Sequence, residues 1–205
     1  SGTIADILFA FTLLMVALLF VTLVYMIANE GQVHRICVKS TRKGPELTMK
    51  QGHRYHLFIS HVWSTGQDSC ASIKRVLQRL IPAVCIFLDV DDLEDIGKLE
   101  EYVGESAVVL MFLSKGYFVS RNCVREIAAS VEKQKPCTLV HEADESKGGA
   151  SLSYFESKEC PEEYRSAIFD GRRVTRWHRI KDFQEISLLQ IAEDMLLSCP
   201  SYRGQ

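Results

Sequence analysis

Apolar and polar positions divide this chain into two regimes. Residues 7–27 carry no charge and consist mainly of Leu, Val, Ala, Phe, Met and Ile, interrupted by Thr12 and Thr22. About 20 apolar helical residues cross a bilayer core, so the stretch predicts a transmembrane helix. A signal peptide fits less well, because it needs a basic flank and a shorter apolar core, and only Asp6 precedes this run. A buried soluble helix would show a polar stripe. From residue 55 the rhythm changes. Short apolar runs at 55–60 (YHLFIS), 84–89 (VCIFLD), 107–114 (AVVLMFLS) and 137–142 (CTLVHE) predict strands. A fifth, 173–178 (RVTRWH), has the polar alternation of a sheet edge. Helical spacing appears between and after them: Ile73, Val76, Leu77, Leu80 and Ile81; Leu99, Tyr102 and Val103; Val124, Ile127, Ala128 and Val131; Leu188, Ile191, Ala192 and Met195. Residues 61–68 read as a polar turn, and 154–168 as a poor helix.

Strands alternating with helices predict an α/β fold. The expected architecture is a flavodoxin-like open sheet of five parallel strands, ordered 2-1-3-4-5, with flanking helices and one transmembrane helix before it. The expected division is a short non-cytosolic flank at 1–6, the membrane helix at 7–27, a basic juxtamembrane linker at 28–54, the folded domain at 55–198 and a tail at 199–205. A chain that begins at Ser1 rather than Met is expected to be the end of something longer.

Charge then orients the chain. Arg35, Lys39, Arg42, Lys43, Lys50 and Arg54 follow the apolar run, against Glu46 alone between residues 31 and 54. Lys/Arg excess marks the cytosolic side, so the folded domain is expected in the cytosol, tethered to a membrane. The basic segment is placed to meet anionic lipid, and equally reads as a solvated linker. Cys37 stands where a palmitoylated cysteine would. From residue 55 on, 18 Lys/Arg and 23 Asp/Glu leave a charge of −5, the wrong sign for a nucleic-acid binder. The seven cysteines form no C-x-x-C pair; neither a zinc site nor a disulfide framework is expected. Asp89, Asp91 and Asp92 read as solvated loop carboxylates rather than metal ligands.

Several chemistries are absent. Ser60-His61 and Ser114-Lys115 stand where a receiver domain needs acidic residues. There is no P-loop, no G-x-G-x-x-G and no G-x-S-x-G elbow. Ligands of open α/β sheets bind beyond the carboxyl ends of the strands, which directs attention to the residues just after each run.

There the residues resemble a known family, the TIR domain. YHLFISH looks like its first-strand motif. Residues 87–127 are similar in spacing to plant-type members: an F-x-D strand end, a loop closing on Gly, S-x-x-Y, then S-x-W-C-x-x-E-L. The matching positions are Asp89, Leu93, Gly97, Ser114, Tyr117, Ser120, Cys123 and Glu126. Ile96 and Asn122 depart from the pattern, and the first turn is longer by two residues, which bears on substrate contacts more than on fold.

The resemblance implies domains that assemble with one another in signal transduction of the innate-immunity kind, and, in some members, cleavage of NAD⁺ at the nicotinamide–ribose bond. Glu126 matches the catalytic Glu. Ser60, His61, Trp63, Gly66, Asp89 and Cys123 are the candidate substrate-binding positions, with NAD⁺ as substrate and no cofactor or metal; His61 equally reads as a loop histidine, Trp63 as a cap on the core, Cys123 as part of the buried core flank and Asp89 as a hydrogen-bond partner of its loop's backbone. By periodicity alone Glu126 lies off the Val124/Ile127/Ala128/Val131 face, where an ordinary solvated Glu would also lie. Two functions follow: an NAD⁺ glycohydrolase, or a non-catalytic adaptor acting through TIR–TIR contacts. Asp91, Asp92, Glu94 and Asp95 near strand two face opposite charge in Arg173, Arg176 and Arg179 near strand five. On opposite sheet edges these predict a head-to-tail homo-oligomer.

Overall fold

The computed structural model describes residues 2–30, 35–92 and 96–202. The chain divides into two compact units, Ser1–Arg35 and Ile36–Gln205. The first holds α1 (Gly2–Glu30). Its Gly2–Ile27 portion is long and apolar enough to cross a membrane.

The second unit contains, in order, β1 (Tyr55–Ser60), α2 (Trp63–Leu80), β2 (Ile86–Leu88), the short α3 (Asp89–Asp92), α4 (Leu99–Gly104), β3 (Ser106–Leu113), α5 (Arg121–Glu132), β4 (Cys137–His141), α6 (Leu152–Tyr154), α7 (Glu162–Phe169), β5 (Val174–Arg176) and α8 (Lys181–Leu197). All strand pairs are parallel, in the order β2-β1-β3-β4-β5. This is the expected sheet, with β2 and β5 at its two edges. The order reverses between β1 and β3, so a crevice is expected where both end.

Strand periodicity explains the two cores. Leu57 and Ile59 point to one face, where Ile73, Leu77, Leu188, Ile191 and Met195 of α2 and α8 cover them. Phe58 points to the other, among Phe87, Leu99, Val103, Cys123 and Ile127. Strands sandwiched between helices are apolar on both faces, and all eight residues of β3 are buried. Ile36 and Leu47 pack against the first core, so the basic segment after α1 joins the folded unit well before residue 55.

Two local expectations change. Residues 63–68 are not a turn: α2 begins at Trp63. Its first buried positions are Gly66, Ser69 and Cys70, too small and polar to signal a helix face, and its N-cap, Val62, supplies no side-chain cap. Residues 154–168 break into α6, a π-helical turn at Phe155–Glu159 and α7.

Candidate functional site at the ends of β1 and β3

The residues at the switch point converge because β1 ends in Ser60-His61 while α5 docks its first turns against that end. Ser120 caps α5, its side chain accepting from Cys123 N. One turn further, the Cys123 thiol donates to the His61 carbonyl at 3.3 Å. One turn beyond that lies Glu126.

Glu126 is 4% exposed, which corrects the surface placement expected from periodicity. The inward face of α5 is Cys123, Glu126, Ile127, Ala129 and Ser130. Three of these five side chains are polar or sulfur-bearing, so the apolar pattern pointed about one position away. Ser60 Oγ donates to the Glu126 carboxyl and lies 2.6 Å from the hydroxyl of Tyr117, itself fully buried. A serine hydroxyl has one proton to give; with it committed to Glu126, Tyr117 donates to Ser60. Burial raises the Glu126 pKa to about 8, the Ser60 hydrogen bond opposing and the Asp89 charge adding. At neutral pH the carboxyl is therefore mostly protonated. Burial, and then the neighbouring Glu126, push the Cys123 thiol up to about 12.

His61 is also buried, and its Nδ1 faces Asp89 Oδ1 at 3.6 Å. No hydrogen bond reaches either ring nitrogen among the described residues. Burial lowers its pKa, against the pull of Asp89. Trp63, 56% exposed, donates its indole N–H to the same Asp89. Asp89 thus engages side chains of the β1–α2 junction. Gly66 lets α2 sit close: a Cβ there would stand 3.1 Å from His61 Cβ and 3.2 Å from the Phe112 ring.

The structure therefore gathers Ser60, His61, Cys123 and Glu126 in the interior, with Gly66 buried against His61, and Asp89 linking His61 to the exposed Trp63. Tyr117 was not singled out by sequence reasoning as a site residue; its place in the three-residue repeat of Ser114, Ser120, Cys123 and Glu126 was the available signal. Glu126 does not line any of five cavities formed by the described residues. A polar cavity of about 390 Å³ does open at the same sheet end, bordered by Trp63, Thr65, Lys147, Gly148 and Arg179. Among the described residues no cluster of His, Cys, Asp and Glu is arranged to hold a metal.

The expected interface charges are largely engaged within the chain. Lys74 pairs with Asp91 at 3.0 Å and Asp92 at 2.6 Å. Arg173 pairs with Glu193 at 2.8 Å and Asp194 at 2.6 Å. Arg179 binds the buried Glu142 at 2.6 Å. Arg176 is exposed. Leu93, Glu94 and Asp95 lie outside the described residues.

No family model and no curated protein matches the chain. Solved structures do. A metazoan TIR-STING receptor from C. gigas, solved in complex with 2′,3′-cGAMP, superposes with a TM-score of 0.52 at 12% identity over 73% of this chain. The fold is that of a TIR domain. The match spans only 42% of that receptor. The TIR domain of the Toll-related receptor TRR-2 from Hydra magnipapillata is also similar, at 11% identity and a TM-score of 0.48, over 69% of this chain and 98% of its own. In this TIR fold the matched residues have roles: Ser114 bonds Thr65 at 2.8 Å, Ser120 caps α5, and Tyr117, Cys123 and Glu126 close over the end of β1.

Proposed function

We propose that this chain is a membrane-anchored TIR signalling domain, facing the cytosol, that hydrolyses NAD⁺ with Glu126 as its catalytic carboxylate. One observation carries the reading. A carboxyl is buried at the topological switch point, held by a serine hydroxyl rather than an ion pair, with its pKa raised to about 8 by burial. Burying an ionisable group costs several kcal/mol (order of magnitude), where Gln would fill the same space without charge. Strongly perturbed groups at such crevices mark functional sites.

The chemistry is simple for one carboxylate. The bond between ribose C1′ and the nicotinamide nitrogen breaks, and its electron pair leaves with neutral nicotinamide. The oxocarbenium-like centre left behind is stabilised by the Glu126 carboxylate. Water then adds at C1′ and loses its proton to solvent, giving ADP-ribose. Ser60 and Tyr117 hold the carboxyl in place, and Trp63 offers an exposed ring beside the cavity that Lys147 and Arg179 border.

The closed geometry adds a condition. A sealed, protonated Glu126 neither meets substrate nor stabilises a cation. Opening the β1–α5 junction hydrates the carboxyl, lowers its pKa toward the ordinary range and ionises it, so access and activation coincide. Self-assembly supplies the opening in this reading, by head-to-tail contacts between the β2 and β5 edges. The sealed state favours a second reading, a non-catalytic adaptor for other TIR domains. Nicotinamide release by the full chain separates them, measured dispersed in detergent and crowded in phosphatidylcholine vesicles. Release that rises with crowding supports hydrolysis; none in either state leaves the adaptor.

A further inference from the structure

At the opposite end of the sheet, below the amino ends of β3 and β4, lies a cavity of about 130 Å³. Lys50, His53, Lys133, Gln134, Lys135 and Ser198 are among its lining residues, and among the described residues no carboxylate side chain lines it. Lys50 and His53 come from the segment following α1; Lys133 and Lys135 come from the turn after α5. Three ammonium groups and an imidazole thus meet around one cavity.

Lys135 is fixed there structurally. Its ammonium donates to the Ser106 carbonyl at 2.7 Å and to the Gly104 carbonyl, and it lies 3.2 Å from His53 Nε2. Those three contacts use its three donors, so it contributes charge rather than a free N–H. Lys50 and Lys133 are exposed and have their ammonium groups to offer. The cluster repels itself: burial lowers the Lys135 pKa, and the charges of Lys133 and Lys50 lower it further. An anion in the cavity would relieve all three. The cavity has room for a phosphate group.

We propose that this cavity binds a phosphate monoester, with Lys50 and Lys133 as the ligating groups and Lys135 as a fixed counter-charge. A phosphate monoester carries close to two charges at neutral pH, unlike the single charge of a phosphodiester headgroup, and so matches the cluster better. The occupant is either the monoester of a phosphoinositide headgroup or free phosphate. Both present the same chemistry, and the segment's place after an apolar helix of membrane-crossing length makes the lipid form the first one to try. This site lies away from Glu126 and does not depend on the hydrolytic reading.

The test uses the full chain in phosphatidylcholine nanodiscs. Short-chain phosphatidylinositol 4-phosphate, inorganic phosphate and short-chain phosphatidylserine are titrated in separately, with binding read by calorimetry. The phosphoinositide is expected to bind, and Lys50→Gln with Lys133→Gln to weaken it by about tenfold or more, because both charge-assisted hydrogen bonds are lost. Lys39→Gln with Lys43→Gln, elsewhere on the basic segment, is expected to leave binding unchanged. Both pocket lysines are exposed, so their variant should keep its melting temperature. Inorganic phosphate binding as tightly as the lipid, with the same variant sensitivity, assigns the pocket to the free anion. Equal binding of phosphatidylserine, or equal affinity in the pocket variant, would overturn the proposal.

Discussion

Ser60 and Glu126 stand 66 residues apart in sequence and share a hydrogen bond in the interior, serine donating to carboxyl. That contact joins the end of β1 to the second turn of α5, and Tyr117 completes it from the other side at 2.6 Å. It seals the carboxyl in the interior, and that burial keeps the proton on Glu126 against the opposing effect of the hydrogen bond itself.

The first consequence is a pH dependence of stability. The folded pKa of Glu126 is raised from 4.5 to about 8. Between those values the folded chain keeps a proton that the unfolded chain has released. Stability contributed by this group is therefore full below about pH 4.5 and is lost as pH rises through 8, with a slope of up to about 1.4 kcal/mol per pH unit. Glu126→Gln should flatten that part of the curve and match or exceed the wild type in melting temperature at pH 8. A wild-type curve without this fall, measured by circular dichroism, would show that the carboxyl is solvated.

Cysteine reactivity reports the seal independently. Cys37 and Cys85 are exposed, while Cys123 is buried and its thiol pKa is pushed up to about 12. Thiolates are the reactive form. Iodoacetamide should label Cys37 and Cys85 early and spare Cys123 in the dispersed chain, by peptide mass mapping. Crowding in vesicles should expose Cys123 if assembly opens the junction. Labelling of Cys123 at the same rate as Cys85 before crowding would contradict a closed resting state.

Charge reversal must respect the internal ion pairs. Arg179 holds Glu142, whose carboxylate is 1% exposed and also accepts from Asp144 N. Removing one partner of a buried pair leaves an uncompensated charge. Arg179→Glu should therefore lower stability by about 2 kcal/mol or more. Arg176→Glu, at an exposed side chain, should leave melting unchanged and weaken self-association, an effect that fades with salt. Light scattering in which Arg176→Glu associates like the wild type at low salt would remove this edge from the contact.

Much of the fold was legible because strands buried on both faces read as unbroken apolar runs. Leu57, Phe58 and Ile59 serve two cores from three consecutive positions. The start of α2 was not legible, because Gly66, Ser69 and Cys70 bury a face without large apolar side chains. The position of Glu126 in sequence was recoverable by resemblance; its burial was not. Periodicity assumes that inward means apolar, whereas Glu126 and Ser130 are inward and polar. Ser60 ends an apolar strand and gave no sign of its partner 66 residues away. The internal pairing of Arg173 with α8 likewise depends on tertiary packing and could not be counted from charges along the chain.

The central claim is that the buried carboxyl performs chemistry. The most direct measurement is nicotinamide release from NAD⁺ by the crowded full chain, wild type against Glu126→Gln, with melting temperature taken on the same samples. The account predicts a loss of about a hundredfold or more in rate, as for removal of a single group that stabilises transition-state charge, with folding retained. It also predicts that the wild-type rate rises with pH up to about 8, because opening and deprotonation of Glu126 are coupled. Equal release by wild type and Glu126→Gln, both folded, would contradict it.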